Sequence, residues 1–209
     1  IILKQKLMKP LLKLKFIFFV LITNVSCSQQ NSFDQPIKRT EDFLIQGIKH
    51  ETYEGFVEVP ENYEDPKSEK IQLPVLIIKS PNKNSQEPIF WFDGGPGGSN
   101  IASQSKIDLP SAANALKNHD FICVGYRGVD GSVTLESKSI TKAFKGLDNK
   151  MLSDKSIQNI KEKIRKYKTE LKEQNIDINN YNILNVIEDM ETVRKQLGYK
   201  KINLLSVSY

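Results

Sequence analysis

The stretch ILNVIEDMETVRKQLGYKKINLLSVSY (residues 183–209) runs from a helical pattern through a turn into a strand and closes on a serine and a tyrosine. Ile187, Met190, Val193 (or Arg194) and Leu197 recur at three- and four-residue steps, the spacing of one apolar face of a helix. Asn182 is the candidate N-cap, and Gly198 suits the left-handed residue just past the helix end. KINLLSVS (residues 201–208) then reads as a continuous apolar strand, the mark of a strand covered on both faces.

Working outward, IFWFD (89–93) and DFICVGY (120–126) have the same buried-strand character. Two earlier segments are also strand-like. TYEGFVEV (52–59) alternates and is stopped by Pro60. IQLPVLIIKS (71–80) carries Pro74, which predicts an edge strand or a bulge. PNKNSQEP (81–88) is a turn-rich connector. Between strands, SAANALKN (111–118) predicts a short helix. From Ser153, the spacing of Ile157, Ile160, Ile164, Tyr167 and Leu171 predicts an amphipathic helix. Its lysines between 161 and 172 form a solvated face. Buried strands alternating with helices imply an α/β fold with a mostly parallel central sheet flanked by helices. No internal repeat stands out.

The net charge of +5 belongs to one place. Lys4, Lys6, Lys9, Lys13 and Lys15 lie in residues 1–28, which contain no acid, and without them the chain is neutral. A basic patch for nucleic acid is therefore not expected. The lysines followed by FIFFVLIT (16–23) and NVSCSQQ (24–30) read as an export signal of charged, apolar and small-residue regions. The apolar run is short for a membrane span. Met8 is a plausible start residue. Val25-Ser26-Cys27 partly fits a lipoprotein box, which makes Cys27 the lipidation site; cleavage after Ser28 is the alternative. Both readings export the protein to the periplasm or cell surface, the first as a membrane-anchored lipoprotein. Residues 29–49 are expected to be a tether, and 50–209 the folded domain. Cys123, in an apolar run, is expected to be a buried thiol. Two histidines and two distant cysteines give no metal-ligand spacing.

Two segments carry candidate chemistry. FDGGPGGSN (92–100) follows a buried strand, and its four glycines around Pro96 let a backbone approach a ligand with its N–H groups exposed. A phosphate cradle is disfavoured, because the Lys-Ser/Thr pair is missing and Pro96 interrupts a dinucleotide spacing; a plain strand-to-helix turn is the alternative. SVSY (206–209) at a strand tip fits a nucleophile elbow of G-x-S-x-G type, with Ser206 as the first small residue and Ser208 as nucleophile.

Taken in order, GGPGG, YRGVDGS (126–132) and DMETVRKQLG (189–198) before SVSY resemble the α/β-hydrolase fold, within it the prolyl iminopeptidase and secreted tripeptidyl-aminopeptidase group. The resemblance covers residues 50–209, the N-terminal part of such an enzyme. There are departures from the group's pattern. Asp93 stands where iminopeptidases carry histidine, Gly125 where many members have Asp, Asp130 at a usual glycine, and Ser206 at the first elbow glycine.

The resemblance implies an exported serine aminopeptidase acting on N-terminal proline-containing or short peptides through an acyl-enzyme on Ser208. The oxyanion would be held by the N–H of Tyr209 and that of Gly95, with Gly94 as alternative. Pro96, Gly97, Gly98 and Arg127 would support the loop. No cofactor or metal is needed, and the expected partner is a peptide substrate, not nucleic acid. A membrane enters only through the lipid anchor. The catalytic Asp and His would follow Ser208 in sequence. His50 precedes the first strand and His119 starts one, away from the carboxyl ends where such sites form, so both are read as non-catalytic. The chain is thus expected to be the front of a longer enzyme, inactive and poorly folded alone. Two other readings share the scaffold: an esterase or lipase-like hydrolase, and a surface-anchored binding protein that has lost catalysis.

Overall fold

A computed structural model describes residues 37–95, 97–102, 110–145 and 153–209. The export signal, Cys27 and Pro96 lie outside the described residues.

The chain forms eight strands and four helices among these residues: β1 (Lys38–Arg39), β2 (Phe43–Ile45), β3 (Ile48–His50), β4 (Thr52–Pro60), β5 (Lys70–Ile78), β6 (Gln86–Asp93), α1 (Pro110–Leu116), β7 (His119–Val124), α2 (Lys138–Lys145), α3 (Asp154–Glu173), α4 (Ile183–Gln196) and β8 (Asn203–Val207). Six strands make one mixed sheet in the order β1-β4-β5-β7-β6-β8. The β1, β4, β5 and β7 neighbours are antiparallel; β7–β6 and β6–β8 are parallel. β2 and β3 form a separate hairpin. Gln46 and Gly47 at its tip both have positive φ, 48° and 78°, the two-residue turn whose twist matches antiparallel strands.

Side-chain alternation sorts the sheet into two cores. Val75, Ile77, Phe90, Ile122 and Val124 face one way and meet Val186, Met190, Val193 and Leu197 of α4. Leu76, Ile78, Ile89, Trp91, Phe121 and Cys123 face the other way and meet Ala113 and Leu116 of α1. A helix on each side is why β6 and β7 read as unbroken apolar runs. Burial pushes the Cys123 thiol up to about 12, with the Asp93 charge adding to it. The thiol is therefore neutral at physiological pH. Because its folded value is raised above the ordinary 9.0, its contribution to stability is complete below pH 9 and is lost as pH rises from there towards 12. Iodoacetamide at pH 8 is expected to leave Cys123 unmodified in the native protein and to label it in denaturant; rapid native labelling would contradict its burial.

Three expectations need correction. The segment read as a tether is folded from Ile37 onward: Ile37 and Ile45 are buried in the two cores, and β1 pairs with β4. Its polar letters hid two anchoring isoleucines. Pro74 lies in an interior strand, opposite Phe56 of β4, where the ladder to β7 ends one residue away at Val75. Pro74 sits just past that end, where the strands exchange one bond and not two: it has no N–H to give, and its carbonyl accepts from Gly125 N at 2.8 Å. β8 pairs with β6 at the rim of the described sheet, with Leu204 68% exposed, rather than being covered on both faces.

The helix ends follow local chemistry. Asn182 caps α4 by accepting from Asn185 N. Gly198 has φ 76°, and the Tyr199 N–H returns to the Arg194 carbonyl, the closing bonds of a left-handed C-terminus. The buried stripe of α4 is Val186, Met190, Val193 and Leu197; Ile187 is exposed. Ser153 caps α3, where Leu171 is the buried residue and Ile164 is exposed.

Candidate active site

Parallel strands deliver their carboxyl ends to one edge of a sheet, where loops can converge. β6 and β8 are such neighbours, with Phe92 opposite Ser206 and Asp93 opposite Val207. The glycine loop leaving β6 and the Ser208 tip leaving β8 therefore emerge side by side. They line one cavity of about 280 Å³ together with Asp93, Tyr126 and Ile183. Gly94, Gly95, Gly97, Gly98, Ser208 and Tyr209, all singled out from the sequence, meet there.

The backbone at both loops is unusual. Ser208 has φ 58°, a left-handed conformation that costs a residue with a Cβ and collects at functional turns. Gly95 and Gly97 have φ 81° and 84°, and Gly98 N donates to Gly95 O at 2.7 Å, closing the loop. Gly94 is required for a different reason. A Cβ there would overlap the Ser208 carbonyl and lie 2.5 Å from Val207 O, both backbone groups. The loop thus touches the Ser208 turn directly. Gly94→Ala in the full-length protein is expected to slow any reaction at Ser208 by about 100-fold or more, because a 1 Å displacement is enough for that. Wild-type rates in a folded G94A variant would contradict the contact.

The amides divide between two uses. Gly94 N donates to the Asp93 carboxylate at 3.1 Å, so it is engaged. The Gly95 and Tyr209 N–H groups have no acceptor among the described residues. Of the two loop candidates, Gly95 is the one left open. Tyr209 is held by its ring, which stacks on Tyr126 at 5.3 Å and tilts against Phe92 at 5.5 Å. Tyr126 in turn donates its hydroxyl to Asp93 O at 2.9 Å. Burial raises the hydroxyl pKa of both tyrosines, which keeps them neutral donors.

Arg127 does not brace the glycine loop. Its guanidinium is buried and paired with Asp189 of α4 at 2.6 and 2.7 Å, and it donates to the carbonyls of Pro60, Glu61 and Asn180. The side chain points across the sheet end to the β4 exit and the turn before α4, since those carbonyls and Asp189 supply acceptors for all its donors. The histidines lie elsewhere: His50 Nδ1 donates to Lys79 O and His119 Nδ1 to Glu87 O, and neither lines the cavity. No three of His, Cys, Asp and Glu among the described residues could hold a metal. No described helix is long and apolar enough to cross a membrane.

Sequence reading passed over Asn100, the hub behind the loop. It is fully buried, accepts from Asp93 N, and donates to Trp91 O and Val124 O. A single amide therefore ties the ends of β6 and β7 together. Its place directly after GGPGGS was the available signal.

No family model matches the chain. Among curated proteins, it is 30% identical over 163 residues to tripeptidyl aminopeptidases of Streptomyces coelicolor and Streptomyces lividans. The matched region is 74% of this chain and 30% of each relative, so the chain spans less than a third of their length. A distant kinship with peptidases is what these similarities support.

Proposed function

We propose that residues 50–209, with β1–β3 packed before and beside them, are the front part of an α/β-hydrolase-fold serine peptidase that is exported and releases short or proline-containing pieces from peptide N-termini. The observation that carries this reading is Ser208, held at positive φ at the tip of β8 and in contact with a glycine loop whose Gly95 amide has no acceptor among the described residues. In this mechanism Ser208 Oγ attacks the scissile carbonyl carbon. The amides of Gly95 and Tyr209 stabilise the oxyanion, the C–N bond breaks, and water then hydrolyses the acyl-enzyme. The Oγ proton needs a base. Because neither described histidine is near, the proposal requires a carboxylate and a histidine from sequence outside residues 1–209, in the Ser…Asp/Glu…His order of such enzymes. The Streptomyces relatives, named for tripeptide release and more than three times as long as the matched stretch, support peptidase over esterase action. Lipidation at Cys27 would tether the enzyme to a membrane surface.

The test is made on the full-length protein. A fluorophosphonate probe is expected to label Ser208, identified by peptide mass mapping, and aminoacyl or tripeptidyl chromogenic amides are expected to turn over faster than acyl esters. Preferred ester turnover would favour the lipase-like alternative, and absence of labelling in a folded protein would leave only a binding role.

A further inference from the structure

Asp130 is the residue at the sheet end that the proposed chemistry does not yet use. It sits in the turn after β7, where its own N–H and that of Val129 return to Tyr126 O. Its Oδ2 accepts two backbone amides, Tyr126 N at 2.9 Å and Asn100 N at 3.0 Å. The second of these bonds reaches the hub of the glycine loop. Asn100 holds Asp93 N, the residue before Gly94, and Gly94 lies against Ser208. A continuous run of bonds therefore joins the Asp130 carboxylate to the position of the Gly94 and Gly95 amides. Bonds from backbone N–H to an ionised carboxylate are among the stronger ones available.

The Asp130 side chain also occupies contested space at its Cβ. A Cβ added at Gly125 would lie 2.5 Å from the Asp130 Cβ and 2.7 Å from Pro74 Cγ. Positions 125 and 130 cannot both carry a side chain in this backbone. In the peptidase group that this sequence resembles, many members have Asp at the first position and glycine is usual at the second; this chain has the reverse.

We propose that Asp130 is the positioning residue of the glycine loop, setting the loop amides against Ser208 through Asn100, and that it does so by filling from position 130 the space that a side chain at 125 would take. This rests on the hydrolase reading above for its catalytic consequence but not for its structural one. Three consequences follow from the bonds. Loss of the carboxylate frees Asn100 N and lets the loop move relative to Ser208. Asparagine, which offers one carbonyl oxygen in the same place, restores the two acceptances. A methyl at 125 pushes Asp130 away and reproduces the loss.

The experiment uses the full-length protein and two readouts. Fluorophosphonate labelling and peptide turnover report on the site; hydrogen exchange of peptides covering residues 93–100 reports on the loop whether or not the protein is an enzyme. Asp130→Ala is expected to slow labelling and kcat by roughly 10- to 100-fold, with KM little changed and faster exchange in the loop. D130N is expected to recover most of both. Gly125→Ala and Asp130→Gly are each expected to slow labelling, and their double variant to slow it by less than the product of the two. An Asp130→Ala protein that melts earlier but labels, turns over and exchanges like wild type would overturn the positioning role. A multiplicative double variant would overturn the shared space. If wild type fails to label, the hydrolase reading falls, and loop exchange in the same five variants still decides the role of Asp130.

Discussion

Full-length protein carrying Ser208→Gly is expected to lose labelling and turnover completely while its fold becomes slightly more stable. The nucleophile is the only atom group lost from the proposed chemistry, and removal of such a serine typically lowers kcat by about 10⁶-fold. The stability gain comes from the backbone. Ser208 sits at φ 58°, where a Cβ crowds the following carbonyl at a cost of roughly 1–2 kcal/mol. Glycine removes that cost and gives back part of it, roughly 0.5–1 kcal/mol, as chain entropy in the unfolded state. Ser208→Ala keeps the Cβ, so it should be as inactive as the glycine variant without the gain. Urea unfolding of the three proteins separates the terms. A glycine variant less stable than the alanine one would show that the turn is not strained. Residual labelling of either variant at wild-type rate would remove Ser208 from the chemistry.

Asp189→Ala is expected to destabilise the full-length protein by roughly 3–5 kcal/mol, the usual result of removing one partner of a buried ion pair. The side chains of Arg127 and Asp189 are each 1% exposed. All five guanidinium donors are used: two on Asp189, the others on Pro60, Glu61 and Asn180 carbonyls. Tyr63 donates a further bond to Asp189 at 3.0 Å, and the Tyr63 and Tyr181 rings lie 5.5 and 6.0 Å from the guanidinium carbon. With the carboxylate gone, the cation remains buried with only backbone carbonyls and two aromatic rings to stabilise it. The pair Arg127→Met with Asp189→Leu removes both charges and is expected to recover at least half of the loss. A double variant as unstable as the sum of its singles would mean that the carbonyl bonds, not the ion pair, hold this corner. A loss below 1 kcal/mol for Asp189→Ala would mean that water reaches the site.

What the sequence determined by itself is local. Strand 52–59 and the two long helices were legible from their periodicity, strands 89–93 and 120–126 from unbroken apolar runs, strand 71–80 from its apolar content, and the α4 ends because Asn182 and Gly198 act within one turn of themselves. The glycine loop was legible because close backbone approach demands glycine, and Ser208 because a serine at a strand tip, two residues after another small one, fits the nucleophile-elbow pattern. Tertiary structure decided everything that depends on a partner distant along the chain. Arg127 faces Asp189, 62 residues away, rather than the nearby glycine loop, since only the folded sheet end reveals which acceptors are in reach. The α4 stripe begins at Val186 and not at Ile187, a choice that periodicity leaves free because the two lie four and three residues before Met190. Residues 37–49 fold because Ile37 and Ile45 find the two cores, a long-range gain invisible in a polar segment. Asn100 and Asp130 take their roles from peptide groups delivered by the ends of β6 and β7. Such convergence is a property of the sheet, and no single stretch of the chain contains it.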